Sequence, residues 1–318
     1  QWMKRRYGWE IDPDWGFFPP GVIPVLNAAI QEFTEPGDGV IVQNPVYYPF
    51  SDGVRNNGRI IRHNCLIEKE PGYYVMDYEN LAELARDPGT KMLILSNPHN
   101  PVGRAWTAEE LRRLCEISIE NGLLIVSDEI HGDLMMDGHR HIPIASLSPE
   151  IAAHVITAYA PSKTFNLAGL SASVSFASDP EIRDRIKKRI LANRHATANV
   201  FGPLAGETAF RTGDDYVDTL VKYVGANMDY VVDFCRENLP GITVRKPEGT
   251  YMVWMDFRGL GLGADGTNDF VLGKAKIAGD LGTWFGPGGE GFVRLNLACP
   301  RSYVEEAMSR LKAARESL

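Results

Sequence analysis

The sequence of 318 residues is poor in cysteine and has no long hydrophobic run. No two of its four cysteines have the spacing of a zinc site or a redox motif, so they are predicted to be scattered thiols, mostly buried, in a reducing compartment: Cys65, Cys115, Cys235 and Cys299. The longest apolar segments, such as 92–95 and 123–126, have the length of a β-strand and are too short to cross a bilayer.

A block of positive charge is also lacking. The chain has 33 Lys and Arg against 41 Asp and Glu, which gives a net charge of −8 and a pI of about 5.5. Such a chain has little to neutralise a phosphate backbone, which argues against a nucleic-acid partner. No charged segment followed by an apolar one opens the sequence. With 44% hydrophobic residues, we expect a soluble cytoplasmic protein of one large domain or two ordinary ones, with no membrane partner.

Short apolar segments alternate with helical patterns in the first part of the chain. The predicted strands are 40–43, 59–63, 92–96, 123–128, 155–159 and 171–177. Most are apolar almost throughout, as expected of strands covered on both faces. Between two of them, Thr107 and Glu110 form a capping-box pattern and Gly122 ends the helix. The alternation predicts an α/β domain with a mainly parallel sheet.

The pattern changes after Pro180. Helices are predicted at 180–193, 202–211 and 215–238, strands at 242–246, 252–257 and 292–297, and a last helix opened by a capping box of Ser302 and Glu305. This order predicts a second, smaller α+β domain. We place the boundary near Gly213, which gives a large domain over 1–213 and a small domain over 214–318.

Several polar residues follow predicted strands. A lysine in an apolar turn, such as Lys163, can have a lowered pKa and act as a Schiff-base nucleophile, although most turn lysines are solvated. Asp128 ends a strand, where a carboxylate faces a ligand crevice or caps a helix. Asn100 lies in a turn rich in Asn-Pro, which is either purely structural or holds the amide at one place.

Three further positions have two interpretations each. Arg294 lies inside an apolar strand, so it either points outward or needs an anion partner such as a substrate carboxylate. Tyr47 follows a strand, and its ring either lies against a planar ligand or caps the core. Gly21 precedes a helical pattern whose first N–H groups suit a phosphate, although most helix starts bind none.

The order of these features resembles the pyridoxal-phosphate enzymes of fold type I, the class I/II aminotransferase superfamily. The similarity extends from Gly8 to the last helix and is greatest to the cystathionine β-lyase, or C–S lyase, branch of the MalY/PatB type. It lies in Arg5-Arg-Tyr-Gly-Trp-Glu10, Pro45-Val-Tyr-Tyr-Pro-Phe50, Ser96-Asn-Pro-His-Asn-Pro-Val-Gly103, Ser127-Asp-Glu-Ile-His131, Ser162-Lys-Thr-Phe-Asn166, Glu248-Gly-Thr-Tyr251 and residues 292–301. The resemblance implies an α/β fold with a mainly parallel sheet of the seven-stranded type and a smaller C-terminal α+β domain.

The resemblance implies pyridoxal 5'-phosphate as the cofactor and assigns a role to each candidate. Lys163 binds the cofactor aldehyde and then moves the substrate Cα proton, and Asp128 keeps the pyridine nitrogen protonated. The other implied contacts are Asn100 with the ring hydroxylate, Tyr47 stacked on the ring, Gly21, Val22 and Ser162 with the phosphate, and Arg294 with the substrate α-carboxylate.

Two departures from the aminotransferase pattern concern cofactor binding. His131 stands where aminotransferases have Tyr, as in the C–S lyases, and is also a predicted cofactor-binding residue. Ser171 replaces the usual phosphate-binding Arg, and Ala160 stands where a Ser is common. Phosphate binding is therefore expected to rely on backbone amides and a neighbouring chain, or else to be weak.

The resemblance implies a β-elimination that converts L-cystathionine or related S-substituted cysteines to thiol, pyruvate and ammonia. An aminotransferase is the first alternative, because the same Lys, Asp, Asn and Arg serve both reactions. A regulatory, protein-binding role on the same scaffold is the second. The resemblance also implies a homodimer and predicts that this chain lacks the N-terminal segment that precedes the string Gln1–Glu10 in relatives.

Overall fold

The fold is described by a computed structural model that covers residues 1–195 and 199–318. The helices are α1 (Trp2–Tyr7), α2 (Val22–Phe33), α3 (Tyr48–Asn56), α4 (Tyr78–Arg86), α5 (Ala108–Glu120), α6 (Pro149–Ala152), α7 (Pro180–Ala192), α8 (Phe201–Thr212), α9 (Asp214–Asn238), α10 (Gly263–Asn268) and α11 (Arg301–Glu316). The strands are β1 (Gly16–Phe17), β2 (Gly39–Val42), β3 (Ile60–His63), β4 (Ile67–Glu70), β5 (Tyr73–Val75), β6 (Thr90–Ser96), β7 (Leu124–Asp128), β8 (Val155–Tyr159), β9 (Val174–Phe176), β10 (Thr243–Val244), β11 (Met252–Asp256), β12 (Asp280–Leu281) and β13 (Phe292–Asn296).

A sheet of seven strands forms the centre of the fold, in the order β1-β9-β8-β7-β6-β2-β3. The strands from β8 to β3 run parallel to their neighbours, and β9 and β1 are antiparallel additions at one edge. The predicted α/β fold with a mainly parallel sheet is therefore confirmed. The predicted capping box of α5 is present, since Thr107 and Glu110 bond each other's backbone.

The continuously apolar strands bury alternate residues in two different cores. In β6, Met92 and Ile94 pack with α2 and α3 on one face, whereas Leu93 and Leu95 pack with α4 and α5 on the other. Successive side chains of a strand point to opposite faces, so a strand covered on both sides must be apolar at every position. This packing fixes the carboxyl ends of β6, β7 and β8 at one edge, where Ser96, Asp128 and Tyr159 end the strands.

A four-stranded antiparallel sheet, in the order β10-β11-β13-β12, lies in the C-terminal part of the chain. Its core is formed mainly by residues from Val224 to Ala314, with α9 and α11 packed together beside it. The predicted division at Gly213 stays a prediction. Among the helices of residues 1–195 and 199–318, none combines the length and apolar content that a membrane span requires.

Two local predictions are wrong. The last helix is not opened by a Ser302–Glu305 capping box, because α11 already begins at Arg301 behind Pro300. The N–H of Arg301 instead donates to the hydroxyl of Tyr223 on α9, at 2.8 Å. The strand predicted at 171–177 is reduced to β9, because Ser171 takes a left-handed backbone conformation with φ of 45°.

Candidate active site

One cavity of about 330 Å³ opens at the carboxyl edge of the seven-stranded sheet. Its wall includes all nine residues that the sequence singled out: Gly21, Val22, Tyr47, Asn100, Asp128, His131, Ser162, Lys163 and Arg294. Arg294 comes from the four-stranded sheet, so both sheets build the cavity. The structure thus brings the predicted residues together, and their individual roles remain proposals.

Lys163 lies in a tight turn that follows β8. The N–H of Phe165 donates to the carbonyl of Pro161 at 2.9 Å, and the N–H of Leu167 donates to that of Ser162 at 3.0 Å. The next side chain, Thr164, donates its hydroxyl to Asp133 at 2.8 Å. The backbone on both sides of the lysine is therefore fixed.

Asp133 is a buried carboxylate that collects donors from three parts of the chain. Besides Thr164, it accepts hydrogen bonds from the Trp2 indole at 3.0 Å, from the Tyr159 hydroxyl at 2.5 Å and from the Tyr7 hydroxyl. A buried charge is tolerable only when its lone pairs are bonded in this way. Asp133 therefore joins α1, the end of β8 and the turn that carries Lys163, and sequence reasoning missed it.

We expect Asp133→Ala to lower the free energy of unfolding by about 3 kcal/mol, because four side-chain donors lose their hydrogen bonds to this buried carboxylate. The control is Asp233→Ala, which removes an exposed i,i+3 pair with Arg236 and is expected to change the same quantity by less than about 0.5 kcal/mol. Urea unfolding of both variants measures the difference. Equal losses in the two variants would refute the role assigned to Asp133.

Asp128 is the last residue of β7 and is almost completely buried. Its Oδ1 accepts a hydrogen bond from the N–H of Ile130 at 3.1 Å. Burial raises the pKa of Asp128 to about 7, although this hydrogen bond and the charge of Lys163 oppose the shift. A cationic group placed against this carboxylate would stabilise its ionised form.

His131 is buried beside Asp128, and its ring meets that of Tyr251 edge to face with 5.4 Å between centroids. Burial, together with the charges of Lys163 and Arg294, lowers the pKa of His131 to about 3, so the imidazole is neutral. Within the described part of the chain its Nδ1 has no hydrogen-bond partner. Tyr251 also lines the cavity. It belongs to a string that carries the resemblance, but no role for it was predicted from the sequence.

Arg294 is held by two side chains within the cavity. Its Nη1 donates to Oδ1 of Asn100 at 2.8 Å, and its Nε donates to Oδ2 of Asp280 at 3.0 Å. The guanidinium carbon lies 4.9 Å from the centre of the Phe285 ring. The inward orientation considered from the sequence is therefore observed, with Asp280 as an anion partner that sequence reasoning missed.

Tyr47 and the start of α2 complete the wall. The N–H of Tyr47 donates to the carbonyl of Asn100 at 3.1 Å, which ties two loops of the cavity together. Burial raises the pKa of the Tyr47 hydroxyl. Gly21 precedes the twelve-residue helix α2, and no side chain of residues 1–195 or 199–318 caps this helix. Its first N–H groups and its dipole therefore suit an anion.

The sequence model for aminotransferase class I and II matches residues 1–311. The chain belongs to this family. Cystathionine β-lyase PatB of Bacillus subtilis is 44% identical over 313 residues, which cover 98% of this chain and 81% of that protein. The alignment therefore spans most of both molecules.

Solved structures of this fold give the same result. Cystalysin from Treponema denticola, which contains pyridoxal 5'-phosphate, superposes with a TM-score of 0.97 at 40% identity and covers 99% of this chain and 80% of that one. The pyridoxal-phosphate-bound C–S lyase from Staphylococcus hominis gives a TM-score of 0.92 at 28% identity, over 99% and 80% of the two chains. The predicted resemblance to the C–S lyase branch of the family is confirmed.

Proposed function

We propose that the chain is a pyridoxal-phosphate-dependent C–S β-lyase. It cleaves the Cβ–S bond of L-cystathionine or a related S-substituted cysteine and yields a thiol, pyruvate and ammonia. The observation that carries this proposal is the cavity that combines Lys163, Asp128 and Arg294 in a chain 44% identical to a cystathionine β-lyase. The small-molecule substrate is therefore an amino acid.

The residues of the cavity fit this cofactor. Burial raises the pKa of the Asp128 carboxylate, so a nearby cation is needed to stabilise its ionised form. The protonated pyridine nitrogen of the cofactor is such a cation. The uncapped start of α2 at Gly21 and Val22 suits the phosphate, together with Ser162. Lys163 supplies the amine for the aldehyde, and Tyr47 supplies an aromatic face. When bound, the cofactor supplies an electron sink for the pair of electrons left on Cα.

The chain's own residues then have separate tasks. Arg294 binds the α-carboxylate of the substrate, and its hydrogen bond to Asn100 keeps the guanidinium at a fixed place. The amine of Lys163 accepts the Cα proton, since the fixed turn holds it within the same cavity. His131 is neutral and adds no charge to this region.

An aminotransferase would use the same residues. The two reactions are distinguished by a keto acid, which amino-group transfer requires and β-elimination does not. We expect the purified protein with pyridoxal 5'-phosphate to release pyruvate and homocysteine from L-cystathionine without any added keto acid. The matched reaction contains 2-oxoglutarate, which is not expected to raise pyruvate release. Amino-group transfer that depends strictly on 2-oxoglutarate would replace the lyase proposal with the aminotransferase.

The proposal includes a homodimer. Large apolar side chains are exposed on segments next to the cavity wall: Phe18 at 68%, Phe201 at 70% and Leu204 at 59%. Such a patch on a protein surface marks an interaction site, and a second copy placed there would adjoin the wall residues at Gly21 and Ala172. Sedimentation equilibrium measures the mass in solution, and we expect twice the chain mass of 35.3 kDa. The two domains and the cytoplasmic location remain parts of the proposal.

A further inference from the structure

Asp280 and Arg294 face each other across the antiparallel strands β12 and β13, as directly paired residues. Side chains of directly opposite residues lie on the same face of a sheet, so this pairing places the carboxylate beside the guanidinium. The two hydrogen bonds that Arg294 donates to Asp280 go to one oxygen, Oδ2, from Nε at 3.0 Å and from Nη2 at 2.5 Å. Within the described residues, Oδ1 accepts no hydrogen bond, and about a third of the side chain is exposed.

In the described part of the chain, Asp280 is one of two carboxylates that line the cavity, and it differs from the other in its exposure. Among the described residues that line it, the charged side chains are Lys163, Arg294, Asp128 and Asp280. Asp128 is only 7% exposed and lies at the end of a central strand. Asp280 is therefore the more accessible carboxylate, and it adjoins the group that binds the substrate α-carboxylate.

We propose that Asp280 makes the site select substrates by the charge of the group carried on sulfur. The inference rests on the proposed function. A carboxylate beyond the sulfur is repelled by Asp280, whereas a neutral group is accepted and a cation is attracted. Two like charges several ångströms apart in a partly exposed site change an affinity by about five- to tenfold. A zwitterionic substituent, such as that of cystathionine, can place its ammonium group near Asp280.

Asp280 also neutralises part of the charge of Arg294, and this second effect must be separated from the first. If the attraction of Arg294 for a carboxylate changes, the affinity of every ligand that carries this carboxylate changes by the same factor. If Asp280 acts on the distal group, the ratio of the affinities of two ligands changes. The test therefore compares ligands that share one carboxylate and differ in the charge at the other end, with succinate and succinamate as the pair that is matched in length.

The experiment uses the protein loaded with pyridoxal 5'-phosphate and three carboxylates without a reactive amine: succinate, succinamate and 4-(trimethylammonio)butyrate. Calorimetry gives the Kd of each. We expect the wild-type protein to bind succinate about five- to tenfold more weakly than succinamate. In Asp280→Asn this difference disappears, and the trimethylammonium ligand loses affinity relative to succinamate. Asp280→Glu, which keeps the charge, retains the wild-type order, and the exposed Asp265→Asn is unchanged.

A second measurement uses turnover. The ratio of kcat/KM for S-methyl-L-cysteine to that for S-(carboxymethyl)-L-cysteine is expected to fall by about five- to tenfold in Asp280→Asn. Equal shifts for all ligands, or equal wild-type affinity for succinate and succinamate, would overturn the proposal. The binding measurement needs no catalysis. A protein that shows the expected binding order but releases no pyruvate would therefore contradict the proposed lyase activity and leave the role of Asp280 supported.

Discussion

Replacing Lys163 with alanine lowers pyruvate release by at least about four orders of magnitude, because the site loses both its nucleophilic amine and its base. Among the described residues that line the cavity, Lys163 is the one that carries a primary amine. The absorbance of the bound cofactor is expected to change as well, since the amine that attaches it is gone. Pyruvate assays and absorbance spectra measure the two effects.

The control for this substitution is Lys188→Ala, which removes an exposed lysine of α7 that does not belong to the cavity wall. It is expected to keep wild-type activity and absorbance. A Lys163→Ala protein that retains more than a few per cent of the activity would rule out the role of Lys163 in catalysis. Urea unfolding of the variant would show whether a loss of activity comes from loss of the fold.

Asp128→Asn is expected to lower kcat/KM by about 10²- to 10³-fold, the usual effect of removing one preorganised electrostatic contact in a dry site. The amide has nearly the same shape as the carboxylate, so the end of β7 and the hydrogen bond from Ile130 can persist. What is lost is the negative charge that would stabilise a protonated pyridine nitrogen. Steady-state kinetics with L-cystathionine measures the change, and a variant with wild-type kcat/KM would contradict the assignment.

The same substitution has an expected effect on stability that does not depend on activity. Burial raises the pKa of Asp128 from 3.8 to about 7 in the folded chain. Between these values the folded state binds more protons than the unfolded state, so the free energy of unfolding falls as pH rises from about 4 to about 7 and then levels off. The contribution is on the order of a few kcal/mol.

Asp128→Asn has no proton to bind at this position and therefore lacks this part of the pH dependence. We expect the cofactor-free variant to be more stable than the cofactor-free wild type at pH 8 and to lose the advantage near pH 4. Denaturant unfolding at both values measures the difference. Parallel pH profiles for the two proteins would show that Asp128 is not held in its neutral form by burial.

The fold was predictable because its signals are local. Strands β2 and β7 contain continuous apolar runs, at residues 40–42 and 124–126, and the start of helix α5 is marked by Thr107 and Glu110. The candidate site followed from residues placed directly after strands, such as Asp128, and from similarity of short strings. These signals depend on neighbours within a few positions, which the sequence displays.

The contacts that were missed depend on segments far apart in sequence. Asp280 lies in a two-residue strand, and its pairing with Arg294 is set by the register of the second sheet. Two of the side chains that donate to Asp133, Trp2 and Thr164, are 131 and 31 positions away. The Ser302 prediction was wrong for a similar reason, because Tyr223 of another helix satisfies the first N–H of α11.

The hydrogen bonds of Asp133 also set an order of events during protein synthesis. The Trp2 indole donates to Asp133 and to the Tyr159 hydroxyl, and Tyr159 lies 157 positions after Trp2. At about 5–20 residues per second, the ribosome adds Tyr159 roughly 8–30 s after Trp2. Helix α1 therefore cannot complete these contacts until Tyr159 has been made. The contacts that fix the turn carrying Lys163 through Asp133 are therefore complete only after helix α1 has docked.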